Sequence, residues 1–366
     1  MKNWARPRPR VSGKRALMSV AAVAALAAGV SGCGAGGSVG TGNTVPVDVG
    51  DGMTVNLPEG ELRIGVFMNG LTDQWTQNFS KTVQAEGEAI GAQVSVLDAG
   101  WDINTQLNQL QTAATNKNYD AAIVVAVDGR PVCNQLTKTL PQANVLVVDA
   151  TLQICGRVFN EGDELYAPGT LTYVGGDSTV EYLTAWAKAG GQYNPGPQKV
   201  LAVVGPQVAT STQVSQKGLE NYAKDHPEFD VQSYLYTDYT TQGGYNATLN
   251  YLKANKDISL IMSAYSPDLT RGVINALESL GLAGKIPVGD VGGSQYTIDQ
   301  IKAGNVQFTL PYNPITTAKR SVQSIVDAQN GQEVDEVVSN LQPWIGPVSD
   351  PKYVTKENVD TFTPEY

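Results

Sequence analysis

Alternation of short apolar runs with amphipathic segments, from residue 62 onward, is the feature that most constrains this fold. The apolar runs are rich in β-branched residues and lie at residues 62–68, 93–97, 121–127, 145–148, 171–174, 200–204, 231–236, 260–262, 286–288 and 306–310. Segments with helical spacing of apolar residues lie between them, at residues 75–90, 105–115, 180–189, 212–223, 245–252, 269–280 and 316–326. Alternating strands and helices predict a parallel α/β structure, and strands without a polar face predict sheets that helices cover on both sides.

The length and internal order of this pattern predict two domains. Without residues 1–32 the chain keeps 334 residues, which is enough for two domains of about 100–200 residues each. Each half opens with a strand, a loop and a long amphipathic helix, and small or turn-forming residues crowd the strand ends. Ligands of open parallel sheets bind beyond the carboxyl ends of the strands, so two such sheets that face each other predict a ligand cleft.

The N-terminal residues have the pattern of an export signal. Residues 1–15 carry six basic side chains and no acidic one, and the 15 residues from Ala16 to Val30 are apolar. That run is shorter than the roughly 20 residues that span a bilayer, so it predicts a secretory signal peptide over residues 1–32. Val30-Ser31-Gly32-Cys33 resembles the lipobox of bacterial lipoproteins. The resemblance implies that Cys33 is lipidated and anchors the mature chain to the extracytoplasmic face of a cell membrane.

The residues after the lipobox are rich in glycine, serine and threonine. They predict a flexible tether over residues 33–59. Residues 32–37 also fit the G-x-G-x-x-G pattern of dinucleotide sites. That pattern needs a strand before it and a helix after it, and the sequence predicts neither here, so we expect no dinucleotide site.

Charge and cysteine content narrow the partners and the chemistry. Removal of residues 1–32 takes away six of the 25 basic residues and none of the 35 acidic ones, which leaves a net charge of −16. Such acidity argues against a nucleic-acid partner, because phosphate contacts need basic patches. Cys133 and Cys155 predict a disulfide in an exported chain, with two buried thiols as the alternative. The single histidine, His226, lies in a polar turn, and we expect neither a metal site nor a cofactor.

Six segments resemble the type I periplasmic sugar-binding proteins of the ribose- and galactose-binding group. They are LRIGVFMNGLTDQWTQNFSKTVQAEGEAIG, NKNYDAAIVVAVD, NVLVVDA, GPQVATSTQVSQKGLENY, DISLIMSAYSPDLTRGVINALESLG and KIPVGDVGGSQYTIDQIKAG. The resemblance implies an α/β fold of two doubly wound parallel-sheet lobes joined by a hinge of three crossovers. It implies a first lobe of residues 60–175 plus 313–340, a second lobe of residues 176–312, and a surface tail of residues 341–366.

The same resemblance implies a set of ligand contacts at the strand ends. Carried over residue by residue, the contacts fall on Asn69, Gln74, Trp75, Asp149, Gln213, Tyr239, Ser266, Asp290 and Asn313. Tyr265 is an alternative to Ser266, and Pro311 or Tyr312 is an alternative to Asn313. The Asp290 position is ambiguous by one residue, and each contact also has a structural reading as a cap, core or loop residue. We expect Trp101 at the rim or in local packing.

The types of these residues suit a sugar without charge. A carboxylate accepts two hydrogen bonds and can hold adjacent hydroxyls, as we expect of Asp149. Flat aromatic rings pack against the apolar C–H faces of a sugar, as we expect of Trp75 and Tyr239. Ala150 and Gln213 stand where the family has arginines. With no cation at a matched position, we expect a neutral pentose, hexose, deoxy sugar, polyol or cyclitol.

The resemblance implies a monomeric solute-binding lipoprotein that closes on its ligand and delivers it to the permease of an ABC importer. A ligand-sensing lipoprotein of the same fold, which signals to a membrane partner, is the alternative. An enzyme is a third reading, with Asp149 and Asp290 as the paired carboxylates of a glycosidase. The sequence has no Walker A or H-E-x-x-H motif and only one histidine, so we expect no enzyme.

Overall fold

Two six-stranded sheets carry the structure, a computed structural model in which residues 43–366 are described. The predicted signal peptide and the predicted lipidation site Cys33 lie outside these residues. In chain order the strands are β1 (Thr44–Asp48), β2 (Thr54–Pro58), β3 (Arg63–Met68), β4 (Gln93–Asp98), β5 (Ala121–Val124), β6 (Leu146–Ala150), β7 (Thr172–Gly175), β8 (Gln198–Val204), β9 (Phe229–Tyr236), β10 (Leu260–Ser263), β11 (Val288–Gly292), β12 (Phe308–Pro311), β13 (Val337–Ser339) and β14 (Val354–Thr355). The α-helices are α1 (Gln74–Ala89), α2 (Ile103–Asn116), α3 (Leu140–Gln142), α4 (Val180–Tyr193), α5 (Thr210–Asp225), α6 (Thr241–Ala254), α7 (Pro267–Ser279), α8 (Gln295–Ala303) and α9 (Pro314–Gln329).

The first sheet has the strand order β13-β7-β6-β5-β3-β4, and all of its strand pairs are parallel. Helices α1 and α9 pack together on one face of the sheet, and α2 and α3 pack on the other. Side chains alternate between the two cores, so that Val66 and Val148 lie in one and Phe67 and Val147 lie in the other. Every residue of β5 is therefore buried.

The second sheet has the order β14-β12-β11-β10-β8-β9. Its pairs are parallel, except that β14 runs antiparallel to β12. Helix α4 packs on α5, and α6 packs on α7. The apolar run 200–204 of β8 is fully buried, as expected of a strand covered on both faces. The prediction of two parallel α/β lobes is confirmed.

Three crossovers connect the two sheets. The first is residues 176–179 between β7 and α4, the second is residues 312–313 between β12 and α9, and the third is residues 340–353 between β13 and β14. The chain therefore passes from one lobe to the other three times, as the resemblance implies.

The crossovers meet at the buried carboxylate of Asp177. The Asn313 backbone N–H and side-chain Nδ2 donate to Asp177 Oδ2 at 2.8 and 3.2 Å. The Asn340 Nδ2 donates to Asp177 Oδ1 at 2.6 Å, and the Asp177 N–H donates to Asn340 Oδ1. Burial raises the pKa of Asp177 to about 7, although these hydrogen bonds oppose the shift. Asn313 thus serves the hinge, where the sequence predicted a ligand contact.

The flexible tether predicted through residue 59 is wrong from residue 44 onward. Strands β1 and β2 form an antiparallel hairpin, and its turn residues 50–52 all have positive φ. The hairpin packs against α9 and α3 and buries Val47, Val49, Val55 and Leu57. These residues alternate with polar ones, which is the period of a strand with one covered face. This alternation of apolar and polar residues could have been recognised in the sequence on both sides of the glycine-rich turn.

The segment 341–366, which was predicted to be a surface tail, is partly buried and belongs to the second sheet. It supplies β14 to the second sheet, and Ile345 and Val354 are fully buried. The Glu365 carboxylate accepts hydrogen bonds from the Ile315 and Thr316 N–H groups at 2.7 and 3.1 Å. A carboxylate at a helix N-terminus is stabilising, so the tail binds the first turn of α9 as well as the second sheet.

Cys133 and Cys155 form the predicted disulfide. The bond joins the segment after β5 to the turn after β6, at the carboxyl edge of the first sheet. Cys155 itself has a positive φ of 57°. The disulfide therefore fixes a turn that begins directly where β6 ends.

Replacement of both cysteines by alanine should lower the free energy of unfolding by about 3 kcal/mol, because the cross-link removes chain entropy from the unfolded state. The residues are 22 apart in sequence. Urea denaturation of the double variant measures the loss, and reduced wild-type protein provides a second measurement of the same cross-link. Equal stability of the oxidised, reduced and substituted proteins would contradict the prediction.

Stability should fall as pH rises from about 5 to about 7.5. The pKa of Asp177 is about 7 in the folded protein and is near its ordinary 3.8 when unfolded. The folded state therefore holds more protons across this range, and each proton contributes about 1.4 kcal/mol per pH unit. Thermal unfolding of wild type, Asp177→Asn and the exposed control Asp51→Asn tests this. Asp177→Asn should reduce the slope by the contribution of this one group, because Asp73 and Asp149 also have raised pKa values. Asp51→Asn should leave the slope as it is, and an unchanged slope in Asp177→Asn would refute the prediction.

Candidate functional site: a cleft between the lobes

The carboxyl ends of the two sheets face each other across a small cavity. The first lobe contributes the residues after β3, β4 and β6, namely Asn69, Asp73, Trp75, Thr76, Trp101 and Leu152. The second lobe contributes Ser211, Tyr239 and Tyr265, and the second crossover contributes Tyr312. The enclosed space measures about 20 Å³, which is room for about one water molecule. A sugar ring needs more space, so its entry requires the lobes to separate.

Aromatic rings form most of the cavity wall. Trp75 stacks on Tyr312 with ring centres 4.5 Å apart and an interplanar angle of 12°. Tyr265 meets Tyr312 edge-on at 4.9 Å. Trp101 of the first lobe lies 5.1 Å from Tyr239 of the second. Flat faces of this kind can cover the apolar C–H side of a ring-shaped ligand from both lobes.

Several polar groups interrupt this aromatic wall. The Asn69 Oδ1 accepts the Gly70 N–H at 2.9 Å. The Ser211 and Tyr239 hydroxyls lie 2.9 Å apart. Trp75 has a buried indole N–H with no acceptor. A buried donor left unpaired is costly, and a ligand hydroxyl oxygen would supply its acceptor.

Asp73 is the charged side chain of the cavity wall and caps α1. Its Oδ1 accepts the Thr76 N–H at 3.1 Å, and its Oδ2 accepts the Thr76 hydroxyl at 3.2 Å. Burial raises the pKa of Asp73 to about 6, the two bonds oppose the shift, and the negative charge of Asp268 adds to it. Asp73 is absent from the contacts expected from the sequence, although Asp73 and Thr76 have the spacing of a helix cap.

Hydrogen bonds join the lobes at two places beside the cavity. The Gln74 N–H donates to Asp268 Oδ2 at 3.1 Å, and the Gln74 Nε2 donates to Asp268 Oδ1 at 3.4 Å. The Thr210 N–H donates to the Val127 carbonyl at 3.1 Å, and the Gly129 N–H donates to the Thr210 hydroxyl at 3.0 Å. Gln74, a predicted ligand contact, therefore lies at a contact between the lobes.

Three predicted ligand residues, Asn69, Trp75 and Tyr239, come together in the cavity. Trp101 joins them from the turn after β4, where Gly70 leaves room for its ring. The sequence placed Trp101 at the rim because a single tryptophan in a turn does not show which way it packs.

At two positions the structure places the alternative residue, rather than the residue first chosen, in the cavity wall. Tyr265 lines the cavity, whereas Ser266 caps α7, where its hydroxyl accepts the Leu269 N–H and donates to the Tyr239 carbonyl. Tyr312 lines the cavity, whereas Asn313 binds Asp177 in the hinge. In both pairs the residue that lines the cavity is next in sequence to the one first chosen, and both segments lie beyond the end of a strand, where Tyr265 has a positive φ of 70° and no regular alternation of side chains holds.

Gln213 and Asp290 lie away from the cavity. The Gln213 Nε2 donates to the Val208 carbonyl at 2.9 Å on a half-exposed face of α5. Asp290 accepts hydrogen bonds from the Thr270 and Thr309 hydroxyls inside the second lobe. The sequence predicted a strand that ends before Asp290, but β11 continues to residue 292 and places Asp290 at its centre.

Asp149 is fully buried at the end of β6 and is outside the set of residues that line the cavity. Neither carboxylate oxygen has a hydrogen-bond partner. Burial raises the pKa of Asp149 well above its ordinary value, and only the nearby Ile154 N–H opposes the shift. An unpartnered buried carboxylate is rare and needs an explanation.

Within residues 43–366 no three His, Cys, Asp or Glu side chains are grouped to hold a metal ion. None of the helices in this described part of the chain is long and apolar enough to cross a membrane.

Comparison with known proteins agrees with this architecture. The D-xylose-binding periplasmic protein of Haemophilus influenzae is 22% identical over 311 residues, which cover 82% of this chain and 88% of that protein. The solved structure of an ABC transporter solute-binding protein from Agrobacterium vitis with bound D-fucose is 20% identical and superposes with a TM-score of 0.70, covering 81% of this chain and 97% of that one. The Caulobacter myo-inositol-binding protein, bound to myo-inositol, is 19% identical with a TM-score of 0.69 and covers 83% of this chain and 97% of that one.

The sequence model of the periplasmic binding protein domain matches residues 64–333. That range contains most of both sheets and two of the three crossovers. Members of this family bind solutes outside the cytoplasm and do not transform them. The chain therefore belongs to the periplasmic binding protein family, has its type I fold, and is an extracytoplasmic binding protein rather than an enzyme.

Proposed function

We propose that this protein captures a small neutral sugar or polyol in the cleft and delivers it to the permease of an ABC importer. The observation that carries the proposal is the aromatic cavity between two lobes that only the crossovers link covalently. Tyr312, Trp101 and Tyr239 offer flat faces to a ring, and Trp75 supports Tyr312 from behind while it stacks on Phe79. The names of relatives that bind D-xylose, D-fucose and myo-inositol point to the same ligand class.

The charge of the cavity wall supports a ligand without negative charge. Among the described residues that line the cavity there is no lysine, arginine or histidine. An acidic sugar or a sugar phosphate would bring its charge beside Asp73 with no cation to balance it. Hydroxyls, in contrast, can donate to Asp73 and accept from the Trp75 indole N–H.

We also propose a role for Asp149 as a ligand group. Its two oxygens have no hydrogen-bond partner in the protein, and both could form hydrogen bonds with hydroxyls of a ligand. Leu152, three residues further along the chain, lines the cavity. The disulfide at Cys155 fixes the turn that carries both. Separation of the lobes to admit a ligand would give Asp149 access through this turn.

Neutral sugars and polyols should stabilise the folded protein. A ligand at a hundredfold excess over its Kd raises the free energy of unfolding by about 2.7 kcal/mol, because it binds only the folded state. A thermal-shift panel of pentoses, hexoses, deoxy sugars and cyclitols finds the ligand. Trp75 and Trp101 line the cavity, so tryptophan fluorescence provides an independent readout. A shift with amino acids or nucleosides, and none with sugars, would refute the sugar assignment.

Alanine at Trp75 or Tyr239 should weaken binding of that ligand at least about tenfold, or 1.4 kcal/mol. The Tyr239 variant loses its ring contact with the ligand, and the Trp75 variant loses the unpaired indole N–H and the support that it gives to the Tyr312 ring. Tyr236→Ala is the matched control, since Tyr236 is an exposed tyrosine on the same strand-to-turn segment. Titration calorimetry measures all three variants. Normal binding by both cavity variants would mean that the site lies elsewhere.

The lipid anchor is a separate proposal, because Cys33 lies outside the described residues. If the lipobox is processed, the native protein begins at a lipidated Cys33. Mass spectrometry of the N-terminal peptide from membrane fractions should find that residue modified and residues 1–32 absent. An unmodified Cys33, or an intact N-terminus in mature protein, would overturn the anchor and leave the ligand proposal untouched.

A further inference from the structure

The wall of the cleft has a negative side chain that a neutral ligand can bind only through hydrogen bonds from its hydroxyls. Asp73 is only 3% exposed and carries the one charge among the described residues of the cavity wall. Its pKa of about 6 leaves it ionised near neutral pH. A buried carboxylate is costly unless a cation is paired with it. None of the described residues of the cavity wall is basic, so a ligand with a positive charge would itself supply the partner of Asp73.

A second acid lies beside Asp73 on the opposite lobe. Asp268 is at the start of α7, and its negative charge raises the pKa of Asp73. Its carboxylate binds the Gln74 side chain and N–H, directly after Asp73 in the sequence. Closure of the lobes thus brings two negative charges to one edge of the cavity.

The positive end of α1 does not offset these acids. A helix N-terminus has a partial positive charge that favours anions. Here the N–H groups of Gln74 and Thr76 already donate to Asp268 and Asp73. The first turn of α1 is therefore satisfied by protein carboxylates, and an anionic ligand would compete with them.

The aromatic wall of the cavity also favours a ligand with a positive charge. The faces of Trp101 and Tyr239 carry the negative part of the ring quadrupole, which attracts ammonium groups within about 6 Å. The Trp101 and Tyr239 rings approach each other from opposite lobes. An ammonium group between these rings and Asp73 would contact a carboxylate and aromatic faces together.

We propose that this cleft recognises an ammonium group and that Asp73 sets the preference, so that an amino sugar binds more tightly than the neutral sugar of the same shape. The inference rests on the proposed function, because it assumes that the cleft takes sugars. It predicts the order amino sugar, then neutral sugar, then sugar acid, in decreasing affinity. This order follows because Asp73 is the one charged side chain among the described residues of the cavity wall, and none of them is basic.

Asp73→Asn separates the charge of Asp73 from its capping role. Asparagine caps helices as well as aspartate does, because its side-chain oxygen accepts the same N–H. Asp102→Asn is the matched control: Asp102 also caps a helix, α2, and adjoins Trp101, but it is exposed and does not line the cavity. Circular dichroism and thermal unfolding confirm that each variant is folded.

The experiment is titration calorimetry at pH 7 with D-glucose, D-glucosamine and D-glucuronic acid, and with the D-galactose, D-galactosamine and D-galacturonic acid series. In wild type, the amino sugar should bind about tenfold more tightly than its neutral parent. Asp73→Asn should reduce this ratio to about one, and Asp102→Asn should leave it unchanged. A ratio of one in wild type, with the neutral sugar bound, would overturn the inference alone. Failure of all six probes would overturn the proposed function in these series together with the inference.

A measurement at pH 5 distinguishes Asp73 from its neighbours. The titratable groups that interact electrostatically with Asp73 are Asp268, Tyr239 and Tyr366. Burial keeps both tyrosines protonated. Protonation of Asp73 below its pKa should shrink the preference for the amine in wild type and in Asp102→Asn. Asp73→Asn should show no such change between pH 7 and pH 5. A pH-dependent preference that persists in Asp73→Asn would assign the effect to Asp268 and overturn the role of Asp73.

Discussion

One buried carboxylate holds all three connections between the lobes. Asp177, in the first crossover, accepts hydrogen bonds from Asn313 in the second and Asn340 in the third. Desolvation of a carboxylate costs several kcal/mol unless donors compensate it, so each crossover stabilises the position of the others. The distance between the facing strand ends, and with it the shape of the cleft, depends on this group.

The aromatic wall begins at that hinge and extends into both lobes. Tyr312 belongs to the second crossover, stacks on Trp75 of the first lobe and meets Tyr265 of the second edge-on. The Tyr265 hydroxyl lies 3.0 Å from the hydroxyl of Ser178, next to Asp177. A ligand that contacts these rings therefore contacts residues whose positions change with the angle between the lobes. Binding energy can drive closure only by as much as the ligand prefers the closed arrangement.

The sequence was most informative where a residue's position follows directly from the chain's own periodicity. Asn69 and Trp75 follow the first strand of a lobe and begin its first helix, and both line the cavity. Tyr239 follows β9 in the same way. The sequence chose Ser266 and Asn313, whereas their neighbours Tyr265 and Tyr312 line the cavity. Both segments lie outside regular strands, and Tyr265 has a positive φ, so no periodicity indicates which of two neighbours faces the cleft.

The sequence by itself determined the two parallel α/β lobes, because apolar runs of strand length alternate with amphipathic helices along the whole chain. It also predicted the disulfide, since two cysteines remain in an exported chain. Only the tertiary structure decided which polar groups form hydrogen bonds inside a lobe and which face the cleft. Asp290 is satisfied by two threonines from other strands and helices, whereas Asp73 lies at the cavity beside Asp268 from the opposite lobe. These partners are distant in sequence, and no local pattern encodes which carboxylate meets which donor.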